Sequence, residues 1–373
     1  MHYLDANATE PLRTQARDAV AAALDVTGNP SSVHAAGRAA RRIMEDARDS
    51  LAARFGGRAA DLVFTSGGTE ADALAIHALG AGHRLIIGAT EHDAVRAAAR
   101  GAEVLPVDRS GVADLDALAA LLENRPPALV CLMLANNETG VVQPIADAAG
   151  LCRRHGARLH VDAVQAAGRM AVDLRALGAA SLAVSSHKLG GPAGAGALLL
   201  APDMSSIAPL IAGGGQERGR RGGTPPVAVI AGFAAAAAAS GDSSALAPLR
   251  DAAEAAAVAC GAVVCGADAS RLPNTTCLAL PGVRADAQVI ALDLAGVAVS
   301  AGAACSSGKV AASHVLDAMG FGALAGQAIR VSLPWNATWA DVAAFAEAYT
   351  KAAAALREKT APVRRTGEVI PTR

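Results

Sequence analysis

Aromatic side chains are almost missing: two Trp, two Tyr and five Phe supply 2% of the 373 residues. A core of this size must therefore be assembled from Ala, Val, Leu and Ile. Net charge is also missing, since 33 Lys and Arg against 34 Asp and Glu leave −1. With no long Lys/Arg run, this balance speaks against a nucleic-acid footprint or a polybasic membrane patch. The opening MHYLDANATEPLR lacks the basic-then-apolar order of a signal peptide. The longest apolar run, 227–239, is interrupted by Gly and is too short to span a bilayer. Six cysteines without a CxxC pair do not form a disulfide framework. No metal is expected, and the expected setting is the reducing cytoplasm.

What the chain does have is 52% hydrophobic residues and enough length for two domains. From about 62 to 200, short Val/Ile/Leu runs alternate with Ala-rich helical stretches. Strands are predicted at 62–65, 84–87, 128–134, 158–161, 182–184 and 196–200. Helices are predicted at 35–55, 69–79, 115–124 and 145–155, and a buried helix after Pro225–Pro226. Such alternation reads as an α/β layer with a mostly parallel sheet. Beyond 257 the pattern shifts to shorter strand-like pieces (277–280, 297–300, 329–333) between helices, as in a smaller α+β domain. The expected division is a large domain over 15–256 and a small domain over 1–14 and 257–358. The polar tail 359–373 is expected to be mobile.

Four polar clusters directly follow predicted strands: TSGGTE after Phe64, NNETG after Leu134, DAVQ after Val161 and SSHK after Val184. In open α/β sheets ligands sit beyond the carboxyl ends of the strands. The glycines of Ser66-Gly67-Gly68-Thr69-Glu70 allow backbone N–H groups to close around an anion at a helix N-terminus. Alone, this is equally an N-capped helix after a tight turn. Lys188, beside hydroxyls and a Gly-rich turn, is suited to a Schiff base with a carbonyl cofactor, although most lysines are solvated surface residues. Asp162, flanked by Val161 and Ala163, is a carboxylate that burial obliges to find a charged partner. A lysine, a buried carboxylate and an anion loop are the three parts that pyridoxal phosphate requires.

The residues also carry a resemblance. GNPSSVHAAGR (28–38), TSGGTEAD (65–72), TEHDAV (90–95), NNETGVVQPI (136–145), HVDAVQAAG (160–168), SSHKLGGPAGAG (185–196), GGGQERGRRGGT (213–224), RLPNT (271–275) and SAGAACSSG (300–308) occur in order. Together they resemble the NifS/IscS-like cysteine desulfurases of the class V aminotransferases, with the pyridoxal phosphate fold type I. The resemblance implies catalytic Lys188, which holds the cofactor and serves as base, together with His92 on the ring face and Cys305 as persulfide carrier. It implies Asp162 at the ring nitrogen, Gln165 at the phenolic oxygen, and Gly68, Thr69, Ser185 and His187 at the phosphate. Thr224 would reach the phosphate of a neighbouring subunit, which makes a homodimer. Arg330, Asn137 and Asn7 would bind the substrate carboxylate.

The implied reaction takes sulfur from L-cysteine, leaves alanine, and passes a Cys305 persulfide to an acceptor such as an iron–sulfur scaffold or a tRNA-thiolation protein. No direct nucleic-acid or membrane binding is expected. The other five cysteines, Cys131, Cys152, Cys260, Cys265 and Cys277, read as structural. Departures from the family pattern stand at Glu10, Ala73, Ala193 and Pro334. The rivals are selenocysteine lyase or another class V aminotransferase on the same scaffold, and a catalytically weak sulfur-transfer scaffold.

Overall fold

The computed structural model describes residues 1–302 and 312–360. A seven-stranded sheet has the order Leu62–Thr65, Gly196–Leu200, Ser181–Ser185, Arg158–Asp162, Ala128–Met133, Arg84–Gly88, Glu103–Leu105. All pairings are parallel except those of Gly196–Leu200, which runs antiparallel to both neighbours. The central strands are buried along their whole length, as expected where helices cover both faces of a parallel sheet. The carboxyl ends of Leu62–Thr65, Ala128–Met133, Arg158–Asp162 and Ser181–Ser185 therefore meet on one edge.

The scarcity of aromatics shows in the helix packing. The helix Val227–Ala239 lies against Thr14–Leu24 and Ala35–Arg54. A Cβ placed on Gly232 would come within 2.5 Å of the Val20 side chain and 3.0 Å of Pro192. Small residues here substitute close backbone approach for bulky side chains. Among the described residues no single helix is long and apolar enough to cross a membrane.

A second sheet is antiparallel, in the order Ser300–Ala301, Ala328–Ser332, Thr275–Ala279, Val263–Val264. Its core includes Leu4, Leu278, Ile329, Val331, Phe345 and Tyr349. The helix Ala247–Ala259 lends Leu249, Ala253 and Ala257 to this second core, which thus draws on residues before the expected boundary at 257. The N-terminus also joins it, His2–Tyr3 pairing with Val297–Ala298. The final helix, Trp339–Thr360, continues past 359, where the tail was expected to start.

Candidate active site

A cleft of about 330 Å³ opens at the shared carboxyl edge of the large sheet. Its lining contains Asn7, Gly68, Thr69, His92, Asn137, Asp162, Gln165, Ser185, His187, Lys188 and Arg330. These are the residues singled out from the sequence, apart from two. Cys305 lies outside the described residues. Thr224 lines a different cavity, of about 230 Å³, with Thr65, Ser66, Gly194 and Arg221.

The anion end of the cleft is built by the helix Gly68–Leu79, whose N-cap Gly67 offers no side-chain cap. Its first-turn amides thus keep their donors for a ligand. A Cβ on Gly196 would sit 2.6–2.8 Å from the Gly67 backbone, so the neighbouring strand must have glycine there. The buried Ser185 hydroxyl faces the same region and has no hydrogen-bond partner among the described residues. Glu70 reaches back to the Ser66 amide at 2.8 Å and pairs with Arg221, also at 2.8 Å. His187 holds Thr9 Oγ1 at 3.0 Å through its Nδ1. Burial, then the charges of Lys188 and Arg169, push its pKa down to about 4.

Asp162 ends the strand Arg158–Asp162 and accepts the Val164 amide at 2.8 Å. Burial above all, reinforced by Asp72, pushes its pKa up to about 7. A carboxylate raised in this way is poised to regain its charge when a cation arrives beside it. Lys188 follows the next strand in a short turn, Ser186–Lys188, and its Nζ donates to the carbonyls of Asn7 at 2.5 Å and Ala8 at 2.9 Å. His92 caps the helix Asp93–Ala98, its Nδ1 accepting the Ala94 amide at 3.1 Å.

At the other end Arg330 donates to Asp5 Oδ1 at 2.7 Å and to the Asn137 carbonyl at 3.0 Å, while its Nε has no partner among the described residues. Asn7 is held by Thr275 and Asn274, both from the second sheet region, so the cleft is closed by residues of both cores.

Sequence reasoning gave no role to Asp72, Asp5, His160 or Arg169. Asp72 and His160 lay inside quoted motifs, TSGGTEAD and HVDAVQ. Their pairing needs the strand alternation that turns His160 and Asp162 to one face. The structural reading of the other cysteines fits their placement: Cys131, Cys152, Cys265 and Cys277 are buried and Cys260 half-buried. Burial pushes the Cys152 thiol up to about 12.

The donor set fits pyridoxal phosphate: an uncapped helix start with an orphaned hydroxyl for the phosphate, a buried carboxylate for the ring nitrogen, and a lysine lining the same cleft. A profile of the aminotransferase class-V family matches residues 2–345. A protein named cysteine desulfurase from Cereibacter sphaeroides is 42% identical over 91% of this chain and 92% of its own length. An IscS-like cysteine desulfurase from Mycobacterium tuberculosis is 39% identical over 96% of this chain and 97% of its own. The crystal structure of a NifS-like protein from Rickettsia africae superposes with a TM-score of 0.87 at 34% identity, covering 94% of this chain and 99% of the other. The chain belongs to the class-V aminotransferase family, among its NifS/IscS-like cysteine desulfurases.

Proposed function

We propose that the cleft takes pyridoxal 5'-phosphate and desulfurates L-cysteine, giving L-alanine and a persulfide on Cys305. The observation that carries this reading is the convergence of Lys188, Asp162, Gln165, His92, Ser185 and Arg330 in one cleft. When bound, the cofactor supplies an electron sink that acidifies the substrate Cα–H and weakens the bond from Cβ to sulfur.

The chain's own groups do the rest. Gly68, Thr69, Ser185 and His187 hold the phosphate. Asp162 holds a proton at the ring nitrogen, Gln165 donates to the phenolic oxygen, and His92 covers the ring face. Lys188 anchors the cofactor and moves the proton at the substrate Cα. Arg330 grips the substrate carboxylate with two parallel donors, assisted by Asn137 and Asn7. The Cys305 thiolate attacks the substrate sulfur, since thiolate is the competent nucleophile. One bond from Cβ to sulfur breaks, one S–S bond forms, and Cβ gains a proton, so cysteine plus thiol balances alanine plus persulfide. The role of Cys305 rests on its motif and on the relatives' kinship.

The reading includes a homodimer in which Thr224 serves the neighbouring site, a division into a large and a small domain, and a cytoplasmic setting. It also includes transfer of the sulfur to an acceptor protein, such as an iron–sulfur scaffold, supported by the IscS names of relatives.

The test is L-cysteine turnover by the cofactor-loaded protein, with alanine and protein-bound persulfide quantified for the wild type and Cys305→Ala. Stoichiometric persulfide in the wild type and none in Cys305→Ala is expected. Cofactor on Lys188 with neither product formed would overturn the reading.

A further inference from the structure

Glu10 departs from the family pattern, yet it is 5% exposed and sits in a buried hydrogen-bonded network. Its Oε1 stands 3.2 Å from Arg169 Nη2, and its Oε2 accepts the Trp335 amide at 3.2 Å. A second departure, Pro334, immediately precedes that amide. Arg169, 2% exposed, also donates through Nη1 to Gln165 Oε1 at 2.8 Å and to the Gln165 carbonyl at 2.8 Å. Gln165 Nε2 then donates to the Asn7 carbonyl at 3.0 Å, on the cleft side.

The order of these contacts has a chemical reason. A primary amide has one accepting end and one donating end, and a guanidinium has donors only. Arg169 therefore accepts no arrangement but the Gln165 oxygen toward itself, which turns the NH2 toward Asn7 and the cleft. A buried guanidinium in turn needs a counter-charge, and Glu10 supplies it.

We infer that Glu10 and Arg169 are positioning residues, whose buried ion pair fixes the Gln165 amide with its NH2 facing the cofactor's phenolic oxygen. This rests on the reading that the cleft takes pyridoxal phosphate. A hydrogen bond donated to the phenolate spreads its negative charge and weakens its hold on the proton it shares with the Lys188 nitrogen. Loss of that donor raises the pH at which this proton leaves.

The experiment is a pH titration of the visible absorption of the bound cofactor, in the full chain loaded with pyridoxal phosphate. Gln165→Leu and Glu10→Gln are each expected to raise the midpoint by about one pH unit, a roughly tenfold change in the proton equilibrium. The double variant is expected to match Gln165→Leu alone, because Glu10 acts through that amide. Should Glu10→Gln fail to fold with Arg169 left unpaired, the charge-free pair Glu10→Gln/Arg169→Met gives the same expected rise. An unmoved midpoint in these variants overturns the inference. So does a shift from Glu10→Gln that persists undiminished in the Gln165→Leu background, which would mean a direct effect of charge. A wild-type protein that acquires no visible band overturns the cofactor reading itself, and the role of Glu10 with it.

Discussion

Asp72 Oδ1 stands 3.1 Å from His160 Nε2, and the other nitrogen of that ring lies 2.8 Å from Ser181 Oγ. All three are buried, and His160 lies two residues before Asp162 on the same strand. Burial pushes Asp72 up to about 8 and His160 down to about 4, so near neutral pH the pair is uncharged. While Asp72 holds its proton it sets no charge against Asp162, whose own rise is then the work of burial.

This arrangement makes the cofactor-free protein less stable as pH rises above 7. An unfolded Asp is ionised above about pH 4, whereas folded Asp72 keeps its proton to about pH 8 and Asp162 to about 7. The folded state then binds more protons than the unfolded one, so stability falls as pH climbs. His160 and His187 act in the opposite sense, but only between their folded value of about 4 and the unfolded value of about 6.5. From pH 7 to 8 the carboxylates set the slope, on the order of 1–2 kcal/mol. Thermal melts of the cofactor-free protein should show that decline, and Asp72→Asn should flatten it. A melting temperature that rises over this interval would contradict the protonation state given to Asp72.

Arg330 is pre-aimed by Asp5 at 2.7 Å and by the Asn137 carbonyl at 3.0 Å. Lysine at this position keeps the charge but loses the planar fork that matches a carboxylate. Arg330→Lys should raise the KM for L-cysteine about 10- to 100-fold, the equivalent of roughly 1.5–3 kcal/mol for a charged hydrogen bond. The cofactor absorption should be unchanged. Equal KM values for the two proteins would remove Arg330 from substrate binding.

The polar clusters at strand ends were legible because one physical rule links them: ligands gather at the carboxyl edge of a parallel sheet. Lys188 and Asp162 line the cleft accordingly, while His92 and Arg330, the latter from the second sheet, were named through the family resemblance and line it too. Strand and helix limits in the large sheet region fell within a residue or two, since buried Val/Ile/Leu runs contrast sharply with their Gly-rich turns. Less was readable where contrast is weak. The strand Glu103–Leu105 is short with a largely uncovered edge, and the helix Thr14–Leu24 is mostly Ala on its apolar side. Arg169 and Asp5 acquire meaning only through partners far along the chain, Glu10 and Arg330. Glu10 stood out as a departure, but burial beside Arg169 is a tertiary fact.

Arg48 and Glu217 form a two-pronged pair at 2.8 Å, with their side chains 5% and 3% exposed. Glu217 also accepts the Phe64 amide at 2.9 Å, which ties the loop before Thr224 to the first strand of the large sheet. The loop backbone turns left-handed at two non-glycine residues, Glu217 at φ 49° and Arg218 at φ 59°, a strain that the ion pair sustains. Arg48→Met leaves a buried carboxylate without its counter-charge and should cost about 3–5 kcal/mol. Adding Glu217→Gln should recover most of that loss. Calorimetric or denaturant unfolding of the three proteins measures both numbers, and a single variant as stable as wild type would show the pair to be dispensable.

Gly196 and Gly156 separate close approach from backbone strain. A Cβ at Gly196 would meet the Gly67 backbone at 2.6–2.8 Å, whereas Gly156, at φ 65°, has nothing within 4 Å. Alanine at 156 meets no neighbour but occupies a left-handed conformation, costing about 1–2 kcal/mol of stability. Cofactor affinity should be untouched. Alanine at 196 must push the Gly67 turn away from the helix start, and the amides that hold the phosphate move with it. Equilibrium binding of pyridoxal phosphate should therefore weaken about tenfold or more in Gly196→Ala, about 1.4 kcal/mol, and stay at the wild-type value in Gly156→Ala. If Gly196→Ala folds and binds as tightly as wild type, the phosphate is not held at residues 67–69, and the anion end of the cleft must be sought elsewhere.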